Sequence, residues 1–219
     1  MKLNVIYEDN HIIIVEKPAG IPTQADSSNV SDMQTIIKHY LKEKYNKPGN
    51  VFVGIVHRLD RNVGGIMVFA KTSKGASRLS EEIRARRFHK RYIAVVDGVL
   101  SKQEDTFEDY LLKDEATNTV SVVDKTVKNA KYAKLDYKIL EQSLTRTKVM
   151  INLYTGRAHQ IRVQFASRGH ALIGDSKYGK IKSDVISLWA YEIEFKHPVK
   201  DEIVKFSLLP QKNIKNYKV

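Results

Sequence analysis

The sequence predicts an α+β protein with a central mixed, largely antiparallel β-sheet flanked by helices. Short β-branched and aromatic runs recur along the whole chain, the composition expected of strands. Apolar residues at helical spacing fill only three stretches, near Ser31, Thr72 and Ala158. Strands precede and follow these helices without strict alternation, and polar-apolar alternation between about residues 107 and 153 marks antiparallel neighbours.

Taken in order, residues 3–7 and 11–16 are β-rich runs joined by Glu8-Asp9-Asn10, which reads as a hairpin turn. Lys17-Pro18-Ala19-Gly20 breaks the pattern. From Ser31 the apolar positions become Met33, Ile36, Ile37, Tyr40 and Leu41, a helical stripe with Ser31 and Gln34 as a capping box, ending before Lys47-Pro48-Gly49. Residues 52–56 and 66–70 read as buried strands on either side of the loop HRLDRNVGG. Thr72 or Ser73 caps a second helix that turns Ala76, Leu79 and Ile83 inward. Residues 92–96 resume a strand, and 120–123, 132–140 and 147–153 alternate. Tyr154-Thr155-Gly156 ends the last of these, after which Ala158, Ile161, Phe165 and Ala166 recover helical spacing up to Arg168-Gly169. A final strand pair, 188–195 and 203–208, is joined by a turn-like linker at 197–201.

With 219 residues and no separating linker, the chain is expected to form a single domain over 1–219. Its 37 Lys and Arg against 25 acids give a net charge of +12, a field that favours polyanions, nucleic acid first. The absence of cysteine excludes disulfides and thiolate metal sites. Glu8 and Asp9 precede any long apolar run, and no window reaches the roughly 18 apolar residues of a membrane span, so a soluble, cytoplasmic protein is expected.

The stretch VHRLDRNVGGIMVFAKT sets one acid, Asp60, between Arg58 and Arg61. His57 and Asp60 could ligate a metal, but no HExxH, HxH or acid cluster completes a site. Gly64-Gly65 lacks the spacing of a phosphate loop or a dinucleotide fingerprint, and no GxSxG elbow supports a hydrolase. What remains is a loop aspartate between apolar strands, which burial would protonate unless an arginine held it ionised as a nucleophile requires. For a lone aspartate, a turn acid or surface ion pair is the plainer reading.

That stretch resembles the HRLDR signature of the RluA-type pseudouridine synthases, which isomerise uridine within RNA. YEDNHIIIVEKPAGIPTQ is similar to the family's opening motif, FHKRYIAVVDG to its K-x-Y segment, and TGRAHQIRVQFASRGHALIGDSKYG to its G-R-x-H-Q-I-R segment, in family order over residues 7–179. The resemblance implies a pseudouridine-synthase-like catalytic domain with an RNA-binding cleft and neither cofactor nor metal. It implies that Asp60 is the catalytic aspartate, with attack on the sugar or on the base left open. Tyr92 is implied to stack on the uracil and help remove the C5 proton, and Arg162 to pair with Asp60. Arg58 is expected near the flipped nucleotide. His57, Leu59, Arg61, Lys90, Arg157 and Gln160 are expected to line the substrate site, although His57 and His159 read as loop hydrogen-bonding residues.

The basic run Arg84, Arg86, Arg87, Lys90 and Arg91, with Phe88 and His89 interleaved, fits RNA-backbone contact or, equally, the polar end of a helix. Lys177, Lys180 and Lys182 form a weaker patch, and the tail QKNIKNYKV is basic too. Asn62-Val63-Gly64-Gly65 replaces the D-T-S-G of many relatives, which is expected to alter loop packing only. Only six residues precede Tyr7, so no N-terminal S4-type module is expected. Ribosomal or transfer RNA is the expected partner and a monomer the default. The alternative is a non-catalytic RNA-binding protein that keeps the fold.

Overall fold

The computed structural model describes residues 2–25, 30–180, 185–210 and 219, so Lys182 and tail residues 211–218 lie outside the described residues. Its class is α+β with largely antiparallel strand pairing. The described residues form eleven strands and three helices, grouped in two compact units. One unit comprises residues up to His89 with Ala190–Leu209, and the other is built on Lys90–Trp189.

In the first unit, β1 (Val5–Glu8) pairs antiparallel with β2 (Ile12–Lys17) through a turn in which Asp9 Oδ1 accepts the N–H groups of His11 and Ile12. β2 pairs with β4 (Gly64–Ala70), which neighbours β10 (Leu188–Lys196). β11 (Ile203–Ser207) extends β10, and β3 (Gly54–Ile55) pairs with β4. Ile12, Ile13, Ile14 and Val15 are all wholly buried, so this sheet is covered on both faces. One face meets α2 (Ser73–Arg84) through Leu79, Ala76 and Ile83, beside the stacked rings of Phe88 and Phe195. Thr72 caps α2, its Oγ1 accepting the N–H of Gly75.

Three expectations are corrected here. Asp32, not Ser31, caps α1 (Met33–Lys44): its Oδ1 accepts the Thr35 N–H and its Oδ2 the Thr35 hydroxyl, while Gln34 donates to the Val53 carbonyl instead of closing a box. The expected 52–56 strand shrinks to two residues, with Phe52 49% exposed. Gly64 and Gly65 belong to β4, not to the loop. Gly65 has φ +129°, and a Cβ there would lie 2.3 Å from the Ala190 carbonyl oxygen, so only glycine lets β4 approach β10 this closely.

In the second unit the strand order is β5 (His89–Asp97), β9 (Arg146–Leu153), β8 (Lys131–Gln142), β6 (Glu104–Asp114) and β7 (Thr119–Val123), with antiparallel neighbours. Alternation on β8 buries Ala133, Leu135, Tyr137 and Ile139 on one face. Against that face α3 (Gln160–Ala166) places Phe165, whose ring centroid lies 5.0 Å from Phe107 and 5.6 Å from Tyr137. The helix is short because His159, at φ +50°, turns the chain just before it and Gly169 turns it just after.

Candidate active site

Asp60 sits partly buried in the first unit, on a loop held from both sides. Before it, buried Leu59 donates its N–H to Thr23 Oγ1, which donates back to the Leu59 carbonyl. After it, the Arg61 carbonyl accepts the Gly20 N–H at 2.8 Å, and Arg61 Nε donates to the Gly20 carbonyl. The Val63 N–H closes the turn onto the Asp60 carbonyl at 3.0 Å. His57 Nε2 accepts the Val68 N–H and its ring packs against Phe88, so this histidine ties the loop to β4. Arg58 and Arg61 are exposed.

The strongest clamp is Lys17, whose side chain closes β2. It is 0% exposed, yet its ammonium donates to the carbonyls of Pro18 (3.1 Å), Arg61 (2.9 Å) and Val63 (2.7 Å). Burial pushes Lys17 down to about 7, and the negative charge of Asp60 works against that fall. The lysine therefore fixes the backbone on the far side of Asp60 and supplies positive charge near the carboxylate.

The second unit holds the other implied residues. Tyr92 is 6% exposed on β5, opposite Ile151 of β9. Arg162, on α3, is 8% exposed and grips Asp175 as a fork, Nε to Oδ2 and Nη2 to Oδ1, both at 2.8 Å. Burial would raise the Asp175 carboxyl, but Arg162 and the N–H groups of Lys177 and Tyr178 hold it below its ordinary range. The guanidinium also lies 5.2 Å from the centre of the Tyr178 ring. The Tyr178 hydroxyl accepts the Val120 N–H and meets His159 Nδ1 at 2.8 Å. Arg162 is thus fixed in orientation by its carboxylate, its ring and its helix.

The expected substrate-lining residues here divide. Gln160 is buried: its Oε1 accepts from the Thr155 hydroxyl and the Arg157 N–H, and its amide donates to the Lys134 carbonyl. It holds the turn that carries Gly156 and Arg157. Arg157 is exposed, with Nε on the Tyr132 carbonyl. Lys90 lies two residues before Tyr92 with its ammonium beside Gly156. In the basic run, Arg84 pairs with Glu81, Arg87 forks onto Glu82, Arg91 donates to Asn152, and Arg86 takes φ +58° at the end of α2.

Two residues escaped sequence reasoning. Lys17 carries a local signal, a cation directly after the apolar run IIIVE and before a proline. Asp175 carries a weaker one, an acid following ALIG. Among the described residues no cluster of three or more His, Cys, Asp or Glu could hold a metal, and no helix is long and apolar enough to cross a membrane.

Comparison with known proteins gives the family. The family model for RNA pseudouridylate synthase matches residues 11–167. An uncharacterized RNA pseudouridine synthase of Aquifex aeolicus is 30% identical over 94% of this chain and 69% of its own length. Ribosomal large subunit pseudouridine synthase D of Nitrosomonas europaea is 32% identical over 92% of this chain and 60% of its own. The corresponding synthase C of Buchnera aphidicola is 33% identical over 89% and 63%. The chain thus spans only about two thirds of the length of these relatives. The fold matches human RNA pseudouridylate synthase domain containing 4, with a TM-score of 0.79 at 20% identity over 95% of this chain and 89% of the human one. Domain containing 1 gives 0.75 at 21% over 95% and 84%. With that match across residues of both units, and relatives aligned over nearly its whole length, the chain belongs to the RNA pseudouridylate synthase family.

Proposed function

We propose that the chain is an RNA pseudouridine synthase, with a catalytic domain over residues 1–219 and Asp60 as the nucleophile. The observation that carries this reading is the loop clamp: residues 59, 61 and 63 are each pinned through the backbone, which leaves Asp60 as the preorganised reactive group between them. The Asp60 carboxylate forms a covalent bond to the target nucleotide as the N1–C1′ bond breaks. The freed uracil turns and bonds to C1′ through C5, the bond to Asp60 breaks and returns its carboxylate, the C5 proton leaves, and N1 gains a proton. Tyr92 stacks on the uracil and assists removal of the C5 proton, and Arg162 supplies positive charge to the reaction.

The target uridine must leave its stack to be reached, at a cost of a few kcal/mol that the positive charge of the chain helps to offset. Large-subunit ribosomal RNA is the favoured substrate, since relatives named for it align over most of this chain, and transfer RNA is the second choice. A monomer working in the cytoplasm without cofactor or metal completes the reading.

The test is tritium release from C5-labelled uridine in transcribed large-subunit ribosomal RNA. Wild type is expected to release tritium in the presence of EDTA, and Asp60→Ala to release none while melting at the wild-type temperature. RNA binding by wild type with no release would establish a non-catalytic RNA-binding protein. Full release by Asp60→Ala would remove Asp60 from the chemistry.

A further inference from the structure

Among the buried and partly buried cations of the described residues, Lys90 stands apart by its surroundings. Lys17 has three carbonyls, Lys71 has Glu8 and the Asp9 carbonyl, and Arg162 has the Asp175 fork. Burial alone pushes Lys90 down, with no carboxylate or hydrogen bond acting against it. Lys90 keeps part of its surface in water, so its ammonium is only partly dehydrated and remains open to an incoming group.

A second feature lies directly beside it. A Cβ on Gly156 would sit 3.2 Å from Lys90 Nζ, so a larger side chain there would crowd the ammonium. Gly156 is exposed, and the exposed Arg157 follows it with Nε held on the Tyr132 carbonyl. The approach to Nζ therefore runs over bare backbone, next to a second positive charge. Alternation along β5 puts Lys90 on the same face as Tyr92, two residues on.

We propose that Lys90 is the seat of one RNA phosphodiester next to the target nucleotide, with Gly156 as the opening through which that anion reaches the ammonium. A phosphate returns the electrostatic stabilisation that burial removed, and an ammonium suits it better than a base edge because it is a point charge that reads no donor-acceptor pattern. The inference rests on the RNA-substrate reading above and adds to it an anion site in the second unit.

The full chain is titrated with transcribed large-subunit ribosomal RNA between about 50 and 200 mM salt, and tritium release is read on the same samples. Lys90→Met is expected to weaken binding about fivefold at the lowest salt and to make the slope of log K against log salt shallower by about 0.7 to 0.9, one phosphate contact. Lys90→Arg is expected to restore both, since arginine binds phosphate but does not give up its proton. Gly156→Val, which crowds the ammonium without removing it, is expected to weaken binding as Lys90→Met does. A wild-type slope in Lys90→Met overturns the proposal, and so does failure of Lys90→Arg to restore binding. Tritium release with an unchanged slope would leave the isomerase and remove the phosphate seat. A Lys90-dependent slope without release would do the reverse.

Discussion

Lys17 in the first unit is wholly buried and Lys90 in the second only partly so, and burial lowers the basicity of each. Around Lys17 the backbone turns three carbonyls inward, and the ammonium becomes part of the wall behind Asp60. Around Lys90 the chain supplies a glycine and an open approach. The difference teaches that burial alone does not define what a cation is for. A group whose hydrogen bonds are met inside the fold serves the fold, and one left unmet beside an opening serves a ligand.

If internal partners decide the outcome, the largest loss must come where a buried cation is deprived of its carboxylate. Asp175→Asn leaves Arg162 charged and enclosed, and is expected to cost about 3 kcal/mol in urea unfolding. Lys17→Met follows: it keeps the length of the side chain but leaves three carbonyls without their donor. Removing a charge that burial disfavours offsets part of that, so a net loss of about 2 kcal/mol is expected. Unchanged midpoints in both variants would break the comparison.

What could be read from the sequence follows the same division. Asp60, Tyr92 and Arg162 stand in contiguous motifs, and the strands and helices around them follow from local periodicity. The groups that hold them do not. Lys17 reaches Arg61 and Val63 across 44 and 46 positions, and Arg162 reaches Asp175 across a helix end and a loop. Spacing encodes neither pairing, because each is made by the tertiary fold. The α1 cap fails on a finer scale: Ser31 and Asp32 are both competent caps, and the structure uses Asp32 because its two oxygens satisfy both donors of Thr35. Phe52 misleads for the opposite reason, since an aromatic in an apolar run lies largely in solvent.

Lys71 sharpens the comparison by offering a cation whose partner titrates. Burial would raise Glu8, but hydrogen bonds from Lys44, Lys71 and Tyr45 bring it down to about 2. A carboxylate bound more tightly in the folded chain contributes stability above its ordinary 4.5, and that contribution drains away as pH falls from there toward about 2. Because Lys44 is well exposed, the contribution is discounted to about 1 to 2 kcal/mol. Glu8→Gln is expected to be less stable than wild type by that amount at pH 7. The gap should close between pH 4.5 and 2. Equal midpoints for the two proteins at pH 7 would show that this cluster holds nothing together.

The smallest expected effect is the one whose sign matters most. Asp175→Asn, Lys17→Met and Glu8→Gln each remove an interaction that the folded chain satisfies, so each lowers stability. Lys90→Met orphans no carboxylate and removes a charge that partial burial disfavours. The variant is expected to melt no lower than wild type. Lys90→Arg, which keeps the charge, should show no gain. A melting temperature that falls in Lys90→Met would mean that the ammonium is satisfied within the protein, as Lys17 is, and the contrast between the two lysines would disappear. A rise would mean that the folded chain carries this charge at its own expense, as a site awaiting an anion must.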